Sequence, residues 1–395
     1  MIISLVTREF PPDTAWGGIA TYSFDIAQAL VKKGHQVHVI TLSVNGEAYE
    51  DEFQGIYVHR IVPSFIKLGK VPFFWRILKY YDGYHLSVYR TLRKLLKSKK
   101  IDIIESPNLH GETAIFQLFN KGSKHVPVVI RLHSCLKQNL LHNKSNFTLA
   151  LRISHFFERM AVKRAQGISA VSKSVIKYND DLPMKDKPIS VIGNPLNVNE
   201  FNADIQKDPN LILCVGRLSM QKGAYILATA IPEILKRHPN AQFLFIGKNG
   251  IHESGMGMKE WILQKVGKYS ENVAFKDHLE RRELLSYYDR ASVVIFPTLY
   301  ESFGYITTES MAARAVVVAS DLDGPSEIIR HNENGVLFAP GSTIDLVDKV
   351  NTLLDNPEHM IQLRIQGRKT VEEHYNWDVI ADQVLYFYQQ IITRN

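Results

Sequence analysis

The chain has 395 residues, enough for two or three domains that each bury a core, and its 45% apolar and 22% charged shares are those of a soluble globular enzyme. Only two cysteines occur, Cys135 in a polar context and Cys214 in an apolar run, which speaks against a disulfide framework or a cysteine-built zinc site. The net charge of +7 divides unevenly: residues 1–200 hold 27 Lys/Arg against 16 Asp/Glu (+11), and residues 201–395 hold 20 against 24 (−4). No apolar run reaches membrane-spanning length and MIISLV is too short for a signal core, so a cytosolic protein is expected.

Residues 2–6 are a β-branched run, and residues 8–18 (REFPPDTAWGG) are a loop rich in turn formers. Ile19, Tyr22, Ile26 and Leu30 at near-helical spacing predict a helix over 19–33, ended by Gly34, and 35–42 alternates into a strand. This unit opens a doubly wound domain in which Gly17 and Gly18 let backbone approach a phosphate or sugar. From Lys67 to Lys100 ten basic residues stand against one acid, Asp82, with seven aromatics interleaved. Basic plus aromatic on a helical segment suits anionic lipid headgroups; a solvated face or a groove for an anionic acceptor are the other readings. No nucleic-acid module appears.

Strands are predicted at 101–105, 128–132 and 167–171, and helices at 110–119 and 147–165. His133 stands at the carboxyl end of a strand, placed to face a cleft, although a satisfied structural histidine is the commoner role. Val191-Ile192 followed by GNP closes the first domain, within 188–209. A second start follows with the same grammar: a strand at 211–215, the loop GRLSMQKG (216–223) and a helix over 224–237. Arg217 offers a planar fork for phosphate and Lys222 a mobile point charge; alone, the loop reads equally as a solvated basic turn. Strands at 243–246 and 273–275 precede a helix over 280–289.

A strand at 291–296 then stops at Pro297 and opens PTLYESFGYITTESMAARAVVVASDLDGP. Glu301 and Glu309, with seven residues between them, span a loop and a helix start, and Val316 to Val318 is another buried strand. In an open parallel sheet such a loop sits at the carboxyl ends of the strands, where ligands bind. Backbone N–H groups near Phe303 to Ile306 suit an anion, and the carboxylates accept hydrogen bonds from hydroxyls. An anion beside a polyol is what a nucleotide sugar presents; a solvated turn with a capping acid is the plainer reading. A strand at 336–338 and helices over 342–354, 361–374 and 375–392 complete the chain.

Together these residues resemble the retaining glycosyltransferases of the GT-B fold, family 4 (glycosyl transferases group 1). The resemblance runs through Pro11 to Gly18, His133, GRLSMQKG, the Glu301/Glu309 pair with SFG between, MAARAVVVAS and the Glu327 segment, in the family's order. It implies an α/β architecture of two doubly wound Rossmann-like domains facing across a cleft. Residues 1–190 would bind the acceptor and 191–375 the nucleotide sugar, with 376–395 a terminal helix packing back on the first domain. By the same resemblance Arg217 and Lys222 bind the donor diphosphate, Glu309 the ribose and Glu301 the transferred sugar. Ser302 and the backbone of Phe303, Gly304 and Tyr305 hold sugar and phosphate, and Leu279 lies near the nucleobase. Gly17 and Gly18 close on the donor and His133 faces the sugar, so that His133, Arg217, Lys222 and Glu301 form the catalytic set.

The implied activity is metal-independent retaining transfer of a hexosyl unit from a nucleoside-diphosphate sugar, UDP before GDP, to a glycan, lipid-linked or small-molecule acceptor. No cofactor, metal or nucleic acid is expected, and residues 67–100 would place the protein peripherally on the inner face of the cell membrane. The sequence departs from the family in Thr298 after Pro297, in Arg314 where glycine is usual, and in Asp323-Gly324 where two glycines are usual, which leaves the hexose open. Asp321-Leu322-Asp323 spells a cation-binding pair but matches a position beside the sugar. A dehydrogenase with paired doubly wound domains is disfavoured, since no GxGxxG follows the first strand. An epimerase or phosphorylase of the same fold is the nearer alternative.

Overall fold

The computed structural model describes residues 1–14, 17–63, 73–120, 125–142, 146, 148–202 and 205–394, with the side chains of all but 73–82 and 142. Trp16 and Phe147, and Lys67 and Lys70 of the basic stretch, lie outside the described residues. The chain forms two units, Met1–Pro195 with Trp377–Asn395, and Leu196–Asn376. The first break falls after Pro195, within 188–209 and a few residues past 190.

The first unit is built on β1 (Ile2–Val6), β2 (Gln36–Leu42), β3 (Tyr49–Phe53), β4 (Ile56–Ile61), β5 (Ile103–Pro107), β6 (Val128–Leu132), β7 (Gly167–Ala170) and β8 (Ile189–Val191). Their order is β3-β4-β2-β1-β5-β6-β7-β8, with every pair parallel except β3 and β4. That hairpin is absent from the sequence reading: YEDEF is polar, and its turn uses Gln54 and Gly55 at φ 52° and 78°, without the Asn-Gly signal. The helices are α1 (Gly18–Lys32), α2 (Phe73–Ser98), α3 (Ala114–Phe119), α4 (Leu136–His142), α5 (Leu149–Arg164) and α6 (Lys173–Tyr178).

The helix expected over 110–119 is broken. A short 3-10 turn, Leu109–Gly111, precedes α3, with His110 and Gly111 at φ 66° and 57°. A Cβ on Gly111 would stand 2.2 Å from the Phe157 carbonyl oxygen, so the break admits the backbone of α5. Cys135 is buried and donates its thiol to the Tyr178 carbonyl, which corrects the polar setting inferred from its neighbours.

The second unit carries β9 (Asp208–Val215), β10 (Gln242–Ile246), β11 (Val273–Lys276), β12 (Ala291–Phe296), β13 (Val316–Ser320) and β14 (Val336–Phe338) in the order β11-β10-β9-β12-β13-β14, all parallel. Parallel strands are covered on both faces, and LILCV, FLFI and SVVIF accordingly read as unbroken apolar runs. Its helices are α7 (Ala224–Arg237), α8 (Met258–Val266), α9 (Arg281–Arg290), α10 (Tyr305–Ala312), α11 (Asp323–Ile328), α12 (Thr343–Leu354) and α13 (Pro357–His374). Cys214 lies in the core of this unit.

The last helix, α14 (Trp377–Arg394), belongs to the first unit. Ile380, Val384, Phe387, Tyr388 and Ile391 share a core with Ile3, Tyr22 and Ile26, as the packing-back of the terminal helix requires. No helix among the described residues is long and apolar enough to cross a membrane.

Candidate active site

In the second unit β9 and β12 are neighbours at the centre of the sheet, and the loops that leave them lead to α7 and α10. Here the strand order reverses, and an open parallel sheet leaves a crevice at the carboxyl ends of such strands. The loop after β9 turns on Gly216 and Gly223, at φ 122° and 70°. A Cβ on Gly223 would stand 1.8 Å from the Pro297 carbonyl oxygen, so this loop rests directly on the one after β12. Two donors to the Gln221 carbonyl fasten them, Leu299 N–H at 2.8 Å and Thr298 Oγ1 at 3.3 Å.

The consequence is that Lys222 Nζ donates to Glu301 Oε2 at 2.6 Å, although 79 positions separate the two residues. Both side chains are partly exposed, and Arg217 stands exposed at the start of the same loop. After Glu301, Gly304 at φ 93° turns the chain into α10, whose first N–H groups have no intrahelical acceptor. Phe303 is buried, while Ser302 and Tyr305 are half-buried. The Gly324 N–H donates to the Glu301 carbonyl at 3.1 Å, and a Cβ on Gly324 would lie 2.5 Å from Phe303 Cα. Asp323 takes φ 43°, a left-handed conformation that aspartate tolerates. The departure from two glycines therefore keeps the one glycine whose missing side chain the loop needs.

Helix α10 is buried from Thr307 to Ala312, and two of its hydroxyls are satisfied within the helix: Thr308 Oγ1 donates to the Tyr305 carbonyl at 3.0 Å and Ser310 Oγ to the Ile306 carbonyl at 2.5 Å. Cations hold its end: Arg368 donates to the Ala312 carbonyl, and Lys207 donates to Ala313 and, at 2.6 Å, to Asp289 at the end of α9. Burial brings the Lys207 ammonium down to about 8. The helix fixes Glu309, whose Oε1 accepts from Arg281 Nη1 at 3.3 Å, while Arg281 Nε donates to Glu200 Oε2 at 2.9 Å. Burial raises the Glu309 pKa; Arg281 and the Tyr288 hydroxyl oppose that shift. Arg281, Tyr288 and Glu200 are absent from the sequence reading. The one available signal was Arg281-Arg282 in the first turn of a helix, where a cation opposes the macrodipole. Leu279 lies half-buried two residues before Arg281, between β11 and α9.

In the first unit the carboxyl ends of β1, β5 and β6 surround a small cavity lined by Val6, Tyr22, Glu105, Ser106 and His133, among others. At about 10 Å³ it has room for roughly one water. His133 is buried; its backbone N–H donates to Asn108 Oδ1 at 3.0 Å, and its ring meets Tyr22 edge-on at 4.9 Å. Burial, then the Arg131 charge, holds its imidazole well below the usual range, so it is neutral near pH 7. Tyr22 donates to Glu105 Oε1 at 2.7 Å, and the Arg131 guanidinium lies 3.9 Å from the Tyr22 ring centre. Arg131 also donates to the carbonyls of Ile192 and Gly193. Gly17 precedes α1, and a Cβ on Gly18 would meet no atom within 4 Å, so its backbone is open to approach.

Comparison with known proteins decides what these two units are. The profile of glycosyl transferases group 1 matches residues 197–370, and that of Glycosyltransferase Family 4 matches residues 16–200. The chain is a group 1 glycosyltransferase. An uncharacterized glycosyltransferase of Methanocaldococcus jannaschii is 28% identical over 98% of both chains. Sucrose-phosphate synthase of Thermosynechococcus elongatus superposes with a TM-score of 0.78 at 20% identity, covering 100% of both chains. The Anabaena protein HepE, solved with UDP and glucose, has a TM-score of 0.73 at 17% identity, over 99% of this chain and 100% of that one. The two Rossmann-like units of this glycosyltransferase thus have the GT-B fold.

Proposed function

We propose that this glycosyltransferase moves a hexosyl unit from a nucleoside-diphosphate sugar, UDP before GDP, to a hydroxyl of a glycan, lipid-linked or small-molecule acceptor, with retention and without a metal. The observation that carries the reading is the Lys222–Glu301 contact of 2.6 Å at the reversal point of the second sheet. It joins a cation suited to phosphate with a carboxylate suited to sugar hydroxyls.

Cleavage of the anomeric C–O bond leaves positive charge on the sugar ring and negative charge on the departing phosphate. Fixed positive potential at that phosphate lowers the barrier. Lys222, Arg217 and the start of α10 supply it, Glu301 binds the sugar and Glu309 the ribose. The acceptor oxygen attacks the face the phosphate leaves, and the phosphate takes the acceptor proton. His133, Gly17 and Gly18 are assigned to the transferred sugar, and Leu279 to the base. HepE, crystallised with UDP and glucose, favours a uridine donor.

A thermal-shift panel of UDP, GDP and ADP sugars tests the reading. The preferred donor at 100 times its Kd stabilises by about 2.7 kcal/mol. No shift with any of them overturns it. Turnover of donor alone to an epimer assigns the fold to epimerase chemistry instead.

A further inference from the structure

The described side chains carry the basic stretch beyond what its sequence allowed. Helix α3 packs between α2 and α5, with Tyr89 of α2 5.5 Å from Phe119 of α3 and His85 of α2 stacked 4.3 Å from Phe157 of α5. The three helices therefore share one outer layer of the first unit. On α5 the residues at steps of three and four, Leu149, Arg152, Phe156, Arg159 and Lys163, all face solvent. They form a single stripe of apolar and basic side chains. On α2, Arg90, Arg93 and Lys97 are exposed, and Phe119 closes α3 with 60% of its surface free. Phe156 is 62% free.

The acids decide the sign. Between 83 and 164 the described acids are Asp102, Glu105, Glu112 and Glu158, and none of them is exposed. Glu105, Glu112 and Glu158 are buried. The layer thus offers cations and aromatic rings to solvent with no exposed acid in those segments to answer them. Two cations are answered from outside those segments: Lys94 donates to Glu50 Oε1 of β3 at 3.0 Å, and Arg159 donates to the Asp181 carbonyl with the Asp181 carboxylate at 3.9 Å. The outward charge therefore rests on Arg90, Arg93, Lys97, Arg152 and Lys163.

The geometry points to this α2–α3–α5 layer as a docking surface for an anionic phospholipid bilayer. Guanidinium and ammonium groups meet headgroup phosphates and carboxylates, while Phe119, Phe156 and Leu149 enter the boundary below them. A soluble polyanion would be served by the cations alone and gives no role to two bare phenyl rings. Contact is peripheral and reversible, and it is independent of the donor chemistry, since none of these side chains is placed in the donor site.

Co-sedimentation of the full chain with vesicles of phosphatidylcholine containing 30% phosphatidylserine, against phosphatidylcholine alone, tests the proposal. Wild type pellets with the anionic vesicles in about 50 mM salt and is largely released in about 0.5 M salt, where the Debye length is short. The combined change R90Q, R93Q, K97Q and R152Q weakens binding at least tenfold. F119S with F156S, which keeps every charge, weakens it at least threefold. Thermal midpoints within a few degrees of wild type show that both variants fold. Wild type that does not pellet, or the aromatic pair binding as wild type does, overturns the proposal. So does tighter binding to heparin than to vesicles with the aromatic variant unaffected, which makes the layer a polyanion site.

Discussion

At the scale of single residues, the site depends on carboxylates that their surroundings do not leave alone. Glu309 is buried, and burial alone favours its neutral form, a weaker acceptor for the two hydroxyls of a vicinal diol because one of its oxygens then carries a proton. Arg281 stands against it at 3.3 Å and favours the charged form. Arg281→Gln therefore raises the Glu309 pKa further. The loss of donor affinity in the variant is therefore larger at low pH than at high pH, read by calorimetry across the pH range in which both proteins stay folded. A ratio of variant to wild-type affinity that is flat in pH contradicts that role.

Glu112 shows the same physics without a substrate. Burial pushes its carboxyl up to about 8, with Arg8 at 3.5 Å opposing the shift. A folded pKa above the unfolded value contributes stability below about pH 4.5 that is lost as pH rises to about 8. Glu112→Gln removes that slope, so the gap between variant and wild-type unfolding free energies changes between pH 5 and 8 in urea melts. Parallel pH profiles contradict it. Neither effect was legible in the sequence, where Glu112 is one acid after a glycine and Arg281 lies 28 positions from its partner.

At the scale of elements, glycines decide where loops lie. Gly223 and Gly324 were visible as letters, and the strands around them as apolar runs, but the atoms they admit belong to distant segments. Gly223→Ala puts a methyl group against the Pro297 carbonyl in a left-handed conformation, so it destabilises the fold by about 2 to 4 kcal/mol. The same shift separates Lys222 from Glu301 and weakens donor binding, so thermal midpoint and UDP affinity fall together; a variant that keeps both contradicts the close contact. The terminal helix was legible from its apolar spacing, and its docking on the first unit only from the resemblance. Phe387 lies buried in that unit's core, and Phe387→Ala costs about 3 to 5 kcal/mol in chemical denaturation. A cost below about 1 kcal/mol contradicts that packing. Elements with weak signals were missed for identifiable reasons: β3 is polar, and the 110–119 helix is interrupted by backbone contact with α5.

For the whole molecule, two α/β units in tandem were readable because parallel strands covered on both faces leave apolar runs at regular intervals. Charge was readable as a sum and misleading as a map. The basic stretch of 67–100 includes Lys94, turned toward the edge hairpin, whereas α5, outside the stretch, supplies the exposed Arg152 and Phe156. The pairing of Lys222 with Glu301 joins loops from opposite sides of the sheet's reversal point and follows only from the fold. The central claim is that this pair marks the donor diphosphate and sugar. Calorimetric titration of the nucleoside-diphosphate sugar that stabilises wild type most in the thermal-shift panel, into wild type and Lys222→Ala, in chelator and at fixed ionic strength, tests it most directly. Saturable one-to-one binding by wild type, weakened at least thirtyfold in a folded variant, is the expected result. Equal affinities, or a wild type that binds no nucleoside-diphosphate sugar, contradict the account.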